Sequence, residues 1–289
     1  MDKNHNISIV KRTDDEYPAS LLGIKNAPNI LYCIGDVDLL KKKSLAVVGS
    51  RKCSEYGRQT AMKIAKTAAE NDIVVVSGMA KGIDSFGHLG ALRNDGKTIA
   101  VLGGGVNVCY PAANRKLYEE ICEKGLVISE TEPDINPMPY MFPMRNRIIS
   151  GLSSGVAVVE AGTSSGSLIT AEIAAEQGRD VFAVPGNINS PYSLGTNKLL
   201  TDGAIPIATV DDIFTGIGIN LRVAPEQLED MGADEAVIYE FVKKNGETTT
   251  DEICAKMGKD AFFVNGIIGI MEIKGLVCVS LGKIFVAKF

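Results

Sequence analysis

Seven short runs of branched and aliphatic residues, Leu45–Val48, Ile73–Val76, Thr98–Leu102, Leu126–Ile128, Val156–Val159, Val181–Val184 and Ile205–Ile207, recur along this chain with helix-patterned segments between them. A strand that is apolar at nearly every position has no face to give to water, so it belongs in a sheet covered on both sides. Alternation with helices makes that sheet parallel. Ala61, Ile64, Ala65 and Ala68 stand at i, i+3, i+4 and i+7, the spacing of one buried helix face. A second helix, predicted over residues 167–177, ends at Gly178, a residue suited to a left-handed C-terminal cap.

The pattern divides the 289 residues into four parts. Residues 1–43 read as a lead segment packing on the main domain, with one short apolar run, Ile30–Ile34, closed by Lys41-Lys42-Lys43. Residues 44–214 form the α/β domain, and residues 215–233 read as a linker. Residues 234–289 predict three helices and a hairpin turning around Gly282, a winged-helix-like unit, with Thr249 and Glu252 at capping-box spacing. Residues 226–289 carry seven lysines, no arginine and eleven acids, the wrong sign for a helix entering a DNA groove, so protein contact is the expectation for this unit.

Lys and Arg number 30 against 35 Asp and Glu, a net charge of -5, so a polyanion would have to be met locally and not by a cationic coat. Six cysteines without a C-x-x-C pair, and only His5 and His88 beside them, leave no structural metal site to expect. No cofactor is expected either. The N-terminus lacks an apolar signal core and no run is long enough to span a bilayer, which points to the cytoplasm and away from membranes.

In an open parallel sheet, ligands sit outside the carboxyl ends of the strands, so the loops after the strands are where chemistry is sought. The first offers Gly49, Ser50 and Arg51, small residues that admit an anion to backbone N–H groups beside one cation. The second, Ser77-Gly78 to Asp84, is a flexible turn with Asp84 placed as an N-cap, and His88 one turn later reads as packed. The third, Gly103-Gly104-Gly105 to Tyr110-Pro111, adds an aromatic, yet it does not follow G-x-G-x-x-G, which disfavours a nicotinamide cofactor. The fourth, Gly162, Thr163, Ser164, Ser165, Gly166 and Ser167, runs into a helix whose N–H groups favour a phosphate or are simply capped, and it lacks the G-K-[ST] ending of a P-loop. Ahead of the Val156 strand, Phe142-Pro143-Met144-Arg145-Asn146-Arg147 sets two cations beside an aromatic. They project into a crevice, pair with acids, or flank the strand as solubilising charges.

These motifs in this order, with Ser129-Glu130, Glu160-Ala161 and Val184-Pro185-Gly186 among them, resemble the DNA-processing protein A (DprA or Smf) family over roughly residues 17–214. The resemblance implies an extended Rossmann-like domain that binds single-stranded DNA, forms homodimers and helps load the RecA recombinase during natural transformation. It implies that Arg51, Arg145 and Arg147 hold phosphates, that Phe142 and Tyr110 stack bases, and that Asn146 and the Gly162–Ser167 backbone complete the pocket. It implies no catalysis. Two departures stand out: Tyr17-Pro18 arrives without the helical domain that many members carry first, and Asn107 stands where an aspartate is expected.

The rival reading is a nucleoside monophosphate phosphoribohydrolase of the same Rossmann-like class, with Arg145 as binder and Glu172 as acid-base residue. The stretch Glu160 to Glu172 lacks the proline of that class's P-G-G-x-G-T-x-x-E loop, and its glutamate is displaced.

Overall fold

The computed structural model of this protein describes residues 6–219, 221, 231–274, 276–280 and 282–286. The first of its two units, up to Asn220, is built on a nine-stranded sheet. Its strands are β1 (Ser8–Lys11), β2 (Ile30–Gly35), β3 (Ser44–Val48), β4 (Val74–Ser77), β5 (Thr98–Val101), β6 (Leu126–Ser129), β7 (Gly155–Val158), β8 (Asp180–Ala183) and β9 (Ile205–Pro206). Their spatial order is β1-β2-β6-β5-β4-β3-β7-β8-β9. From β6 to β9 all neighbours are parallel, with Ala46 opposite Val76 on one side and Val156 on the other. Every residue of β3, β4, β5, β6 and β7 is buried, as continuous apolar runs require of strands covered on both faces.

The lead segment is part of this sheet and does not merely pack on it. β2 pairs antiparallel with β6, Tyr32 opposite Ser129, and β1 closes the edge against β2. β1 escapes sequence reading because its apolar residues, Ile9 and Val10, make too short a run to stand out, and only Val10 is buried. The stretch around Arg145 is a helix, Met141–Leu152, entered through Tyr140 with Pro143 in its first turn, where a missing N–H costs nothing. Gly178 does adopt positive φ, at 70°. Thr215 and Gly216 complete a helix, Val210–Gly216, instead of opening a linker, and most of the rest of that linker lies outside the described residues.

His88 is fully buried in the helix Ile83–Leu92. Its Nδ1 lies 2.6 Å from Thr98 Oγ1, whose hydroxyl donates to Val75 O, so Nδ1 carries the proton and Thr98 accepts it. Nε2 has no partner. Burial, reinforced by the charge of Arg145, pushes the imidazole pKa down to about 3. A neutral native ring and a protonated unfolded one mean that the unfolded chain binds more protons between about pH 6.5 and 3, so stability falls as pH falls through that window. The wild type should lose about 1.4 kcal/mol more per pH unit than His88→Gln between roughly pH 6 and 4, read from urea midpoints at each pH. Parallel profiles for the two proteins would show the ring to be protonated in place.

The second unit has its own core of Ile238, Tyr239, Val242, Ile253, Val264, Ile268, Met271, Leu276, Val277 and Ile284. Helices Ala233–Asn245, Thr250–Met257 and Ala261–Ile273 precede an antiparallel hairpin, Val277–Ser280 with Lys283–Val286, and Thr248 bridges to Ile284. The Thr249–Glu252 capping box forms: Glu252 N–H donates to Thr249 Oγ1 and Thr249 N–H donates to Glu252 Oε2. This is the winged-helix-like arrangement that the pattern predicts.

Candidate nucleic-acid interface

Chain order runs outward from β3 through β4, β5 and β6, then returns to the other side of β3 with β7. The carboxyl ends of β3 and β7 therefore diverge into loops on opposite sides, the position where open α/β sheets leave a crevice. A crevice of roughly 760 Å³ lies there. It gathers Gly49, Ser50, Arg51, Tyr110, Phe142, Arg145, Asn146, Gly162, Ser165, Gly166 and Ser167 from sequence positions more than a hundred residues apart.

One wall is cationic and aromatic. The Arg51 guanidinium carbon stands 5.8 Å from the centroid of the Phe142 ring, whose own centroid is 5.4 Å from that of Tyr110, the planes tilted by 36°. Tyr110 is half exposed. Ser50 N–H donates to Glu160 O at 2.7 Å and fixes the loop that carries Arg51. The opposite wall is the start of the helix Gly166–Glu176, where Ser165 caps by accepting from Ser167 N–H and lies 2.8 Å from the Ser167 hydroxyl.

The floor is Arg145, and it is almost wholly buried. Its guanidinium donates to Gly78 O at 2.9 Å and to Val101 O, tying the ends of β4 and β5 together. Asp84, equally buried, accepts from Gly78 N–H at 3.1 Å and Ala80 N–H at 3.4 Å. A Cβ on Gly78 would come within 2.5 Å of the Arg145 guanidinium, so the glycine makes room for the cation. Burial lowers the Arg145 pKa to about 10, with Arg51 pushing the same way and Asp84 opposing; the group stays charged at neutral pH. Burial likewise raises the Asp84 carboxyl, against the pull of Arg145 and the backbone N–H groups.

Arg147 is not brought into the crevice. It forms a two-pronged ion pair with Glu130, at 2.6 and 2.8 Å, and donates to Asn26 O at 3.0 Å. Thr163 is exposed and outside the lining, and Ser164 stands there instead. Lys52, next to Arg51, also lines the crevice, as do Asp84 and Pro139. Lys52 could have been found from its place in the same loop; Pro139 carried no signal, because nothing local shows that the helix after it turns toward the sheet.

The glycine run at 103–105 serves the chain's own packing. Gly105 N–H donates to Ile135 O, and a Cβ on Gly105 would lie 2.1 Å from Glu132 O. Asn107 joins this contact by donating to Asp134 Oδ1 at 2.7 Å. At the far end of the sheet, the Asn197 amide holds both N–H and C=O of Gly186, at 3.1 and 3.0 Å.

The helix after β3, Glu55–Glu70, begins beside the crevice, but its N-terminus is already filled. The buried Glu160 carboxylate accepts from Ser54 N–H at 2.8 Å and from the Ser54 hydroxyl at 2.5 Å. A carboxylate at a helix N-terminus meets the same dipole that would otherwise favour a phosphate. Gly57 allows the approach, since a Cβ there would lie 2.3 Å from Glu160 Oε2. Alanine in an exposed helix normally stabilises by about 1 kcal/mol relative to glycine. Gly57→Ala should instead lower the melting temperature, read by thermal denaturation; a rise would mean that Glu160 moves aside without cost.

Among the described residues, no helix is long and apolar enough to cross a membrane, and no cluster of three or more His, Cys, Asp or Glu side chains could hold a metal ion. Residues 8–218 match the family model described as DNA recombination-mediator protein A. The chain is 49% identical over 201 residues to DNA processing protein DprA of Streptococcus pneumoniae, covering 70% of this chain and 71% of that protein. With DprA of Bacillus subtilis it shares 41% over 213 residues, covering 73% and 72%. Among solved structures, DNA processing protein A from S. pneumoniae superposes with a TM-score of 0.70 at 45% identity, over 75% of each chain. DNA processing protein A from Helicobacter pylori, whose structure is described in terms of its single-stranded DNA binding mode, gives 0.68 at 31% identity, over 75% of this chain and 98% of that one. A match through nearly the whole first unit, on a sheet whose switch point opens into this crevice, shows that the chain belongs to the DNA recombination-mediator protein A (DprA/Smf) family.

Proposed function

We propose that this protein binds single-stranded DNA in the crevice at the β3–β7 switch point, acts as a homodimer, and delivers the strand to the RecA recombinase in the cytoplasm. The observation that carries the DNA site is the Arg51 guanidinium over the Phe142 ring, with Tyr110 alongside, facing a capped helix N-terminus across the crevice. A single strand exposes base faces that a duplex hides, and a site with aromatic faces and few cations suits it: stacking contributes without sequence reading, and the cations track the phosphates. Arg145 acts as a brace that ties the ends of β4 and β5 together beneath that track, and Arg147 as a brace for its own helix. RecA delivery and self-pairing rest on the family membership.

The phosphoribohydrolase reading loses its acid-base residue, because Glu172 is exposed and outside the crevice that holds Arg145. Filter binding with single-stranded, blunt duplex and mononucleotide competitors tests the proposal. Single strands should compete best, and nucleoside monophosphates should release no free base. Equal competition by duplex of the same length would overturn it. A chain truncated after Ile219 should retain most of the affinity, while a tenfold loss, about 1.4 kcal/mol, with the first unit folded would place the second unit in the DNA site.

A further inference from the structure

Four of the seven tyrosines in the first unit are exposed: Tyr56, Tyr110, Tyr140 and Tyr192. Each follows the carboxyl end of a strand in the parallel part of the sheet, Tyr56 after β3, Tyr110 after β5, Tyr140 after β6 and Tyr192 after β8. The connections at the opposite end of these strands, residues 71–73, 93–97, 125, 153–154, 177–179 and 202–204, hold no aromatic residue. Loop composition alone would scatter exposed rings over both ends. Their confinement to one makes an aromatic rim at the end where the crevice opens, and of the four only Tyr110 lines the crevice itself.

Tyr192 is the rim residue that the backbone ties to the crevice wall. Ala161 N–H donates to Tyr192 O at 2.9 Å and Gly195 N–H donates to Ala161 O at 2.7 Å, so residues 192–195 lie along the segment that leads into Gly162. A Cβ on Gly195 would come within 2.6 Å of Gly162 O, and the Asn197 clamp on Gly186 holds the loop at its start. The loop is fixed, yet Tyr192 stays 38% exposed and, among the described residues, nothing hydrogen-bonds its hydroxyl. Charge selects what can lie over it. Residues 161–171 and 181–197 contain no charged side chain, in a chain of net charge -5, and the neighbouring acid Glu160 is buried on Ser54. A polyanion leaving the crevice over Gly162 therefore meets no carboxylate from these segments. They offer it no cation either; what they offer is a ring face, and stacking on such a face is open to every base.

Resting on the single-strand reading of the crevice, we propose that a strand leaving it over the Gly162 wall stacks a further base on Tyr192. In the full chain, Tyr192→Ala should weaken binding of an oligothymidylate of about 16 nucleotides by about fivefold or more, at an unchanged slope of affinity against log salt. Tyr192→Phe keeps the ring face and should bind within about twofold of the wild type, while Tyr192→Leu keeps bulk without the face and should be as weak as alanine. A thymidine dinucleotide, too short to leave the crevice, should compete equally well against all four proteins. A second arm needs no substitution: the wild type is irradiated with the same oligomer carrying 5-iodouracil at one position after another, and cross-linked peptides are identified by mass spectrometry. Tyr192 should be captured from positions displaced from those that reach Phe142 or Tyr110. No capture of Tyr192 from any position, or full oligomer affinity in Tyr192→Ala where Phe142→Ala is weakened, would overturn the inference and leave the crevice reading standing. Full affinity in both variants would remove the crevice reading and this inference with it. Dinucleotide competition that falls as far as oligomer affinity would make the loop a prop for the wall, and leucine binding like phenylalanine would make the residue a packing group; either result overturns the stack.

Discussion

Arg145→Leu is expected to destabilise the first unit by about 3–5 kcal/mol, the usual result of removing one partner from a buried charged network. The substitution leaves Gly78 O and Val101 O without their donor and Asp84 buried without the cation beside it. The effect should appear as a lower urea midpoint at unchanged m-value. Single-strand affinity should then fall only under conditions where the fold is lost. Unchanged stability combined with weakened binding and a flatter salt dependence would show that the guanidinium works on the ligand and not on the ends of β4 and β5.

Phe142→Ala should weaken single-strand binding by about 1–3 kcal/mol, the range for losing one base stack, with the slope of affinity against log salt preserved. Arg51→Ala should do the opposite in kind: a slope flatter by about 0.7, one phosphate's worth of released counterions on a single strand. Because Phe142 also packs near Gly103 and under Arg51, both variants are to be compared at matched stability, established by thermal denaturation. If Phe142→Ala flattened the slope as much as Arg51→Ala does, the ring would be acting chiefly as a support for the arginine.

The central sheet was readable because the interiors of β3 to β7 are continuous apolar runs, with Ser44, Ser77, Thr98 and Ser129 only at strand ends, a pattern that points to a sheet covered on both faces. β1 was not, since a four-residue edge strand with one buried residue carries too short an apolar run to stand out. The loops of the crevice were readable as candidates, yet their partners were not. Local sequence cannot tell that Gly104 and Gly105 make room for residues 132–137, or that Glu160 caps a helix that begins more than a hundred residues earlier. The arginines show the limit best. Arg51, Arg145 and Arg147 look equivalent in sequence, but helical spacing separates the last two by about 200°. One is thereby turned into the sheet's carboxyl edge and the other toward Glu130.

The two borders of the sheet set terms for how copies of this protein can meet. On one side β9 is two residues long and ends in Pro206, which has no N–H to offer; on the other, β1 is four residues long and closes with Lys11, with Arg12 directly after it. Short borders blunted by proline and by charge make poor templates for backbone pairing. Copies of this chain at high local concentration are thereby guarded against fusing these sheets edge to edge into fibres. Any meeting of two such sheets is left to side-chain surfaces, which part more readily than a shared backbone ladder.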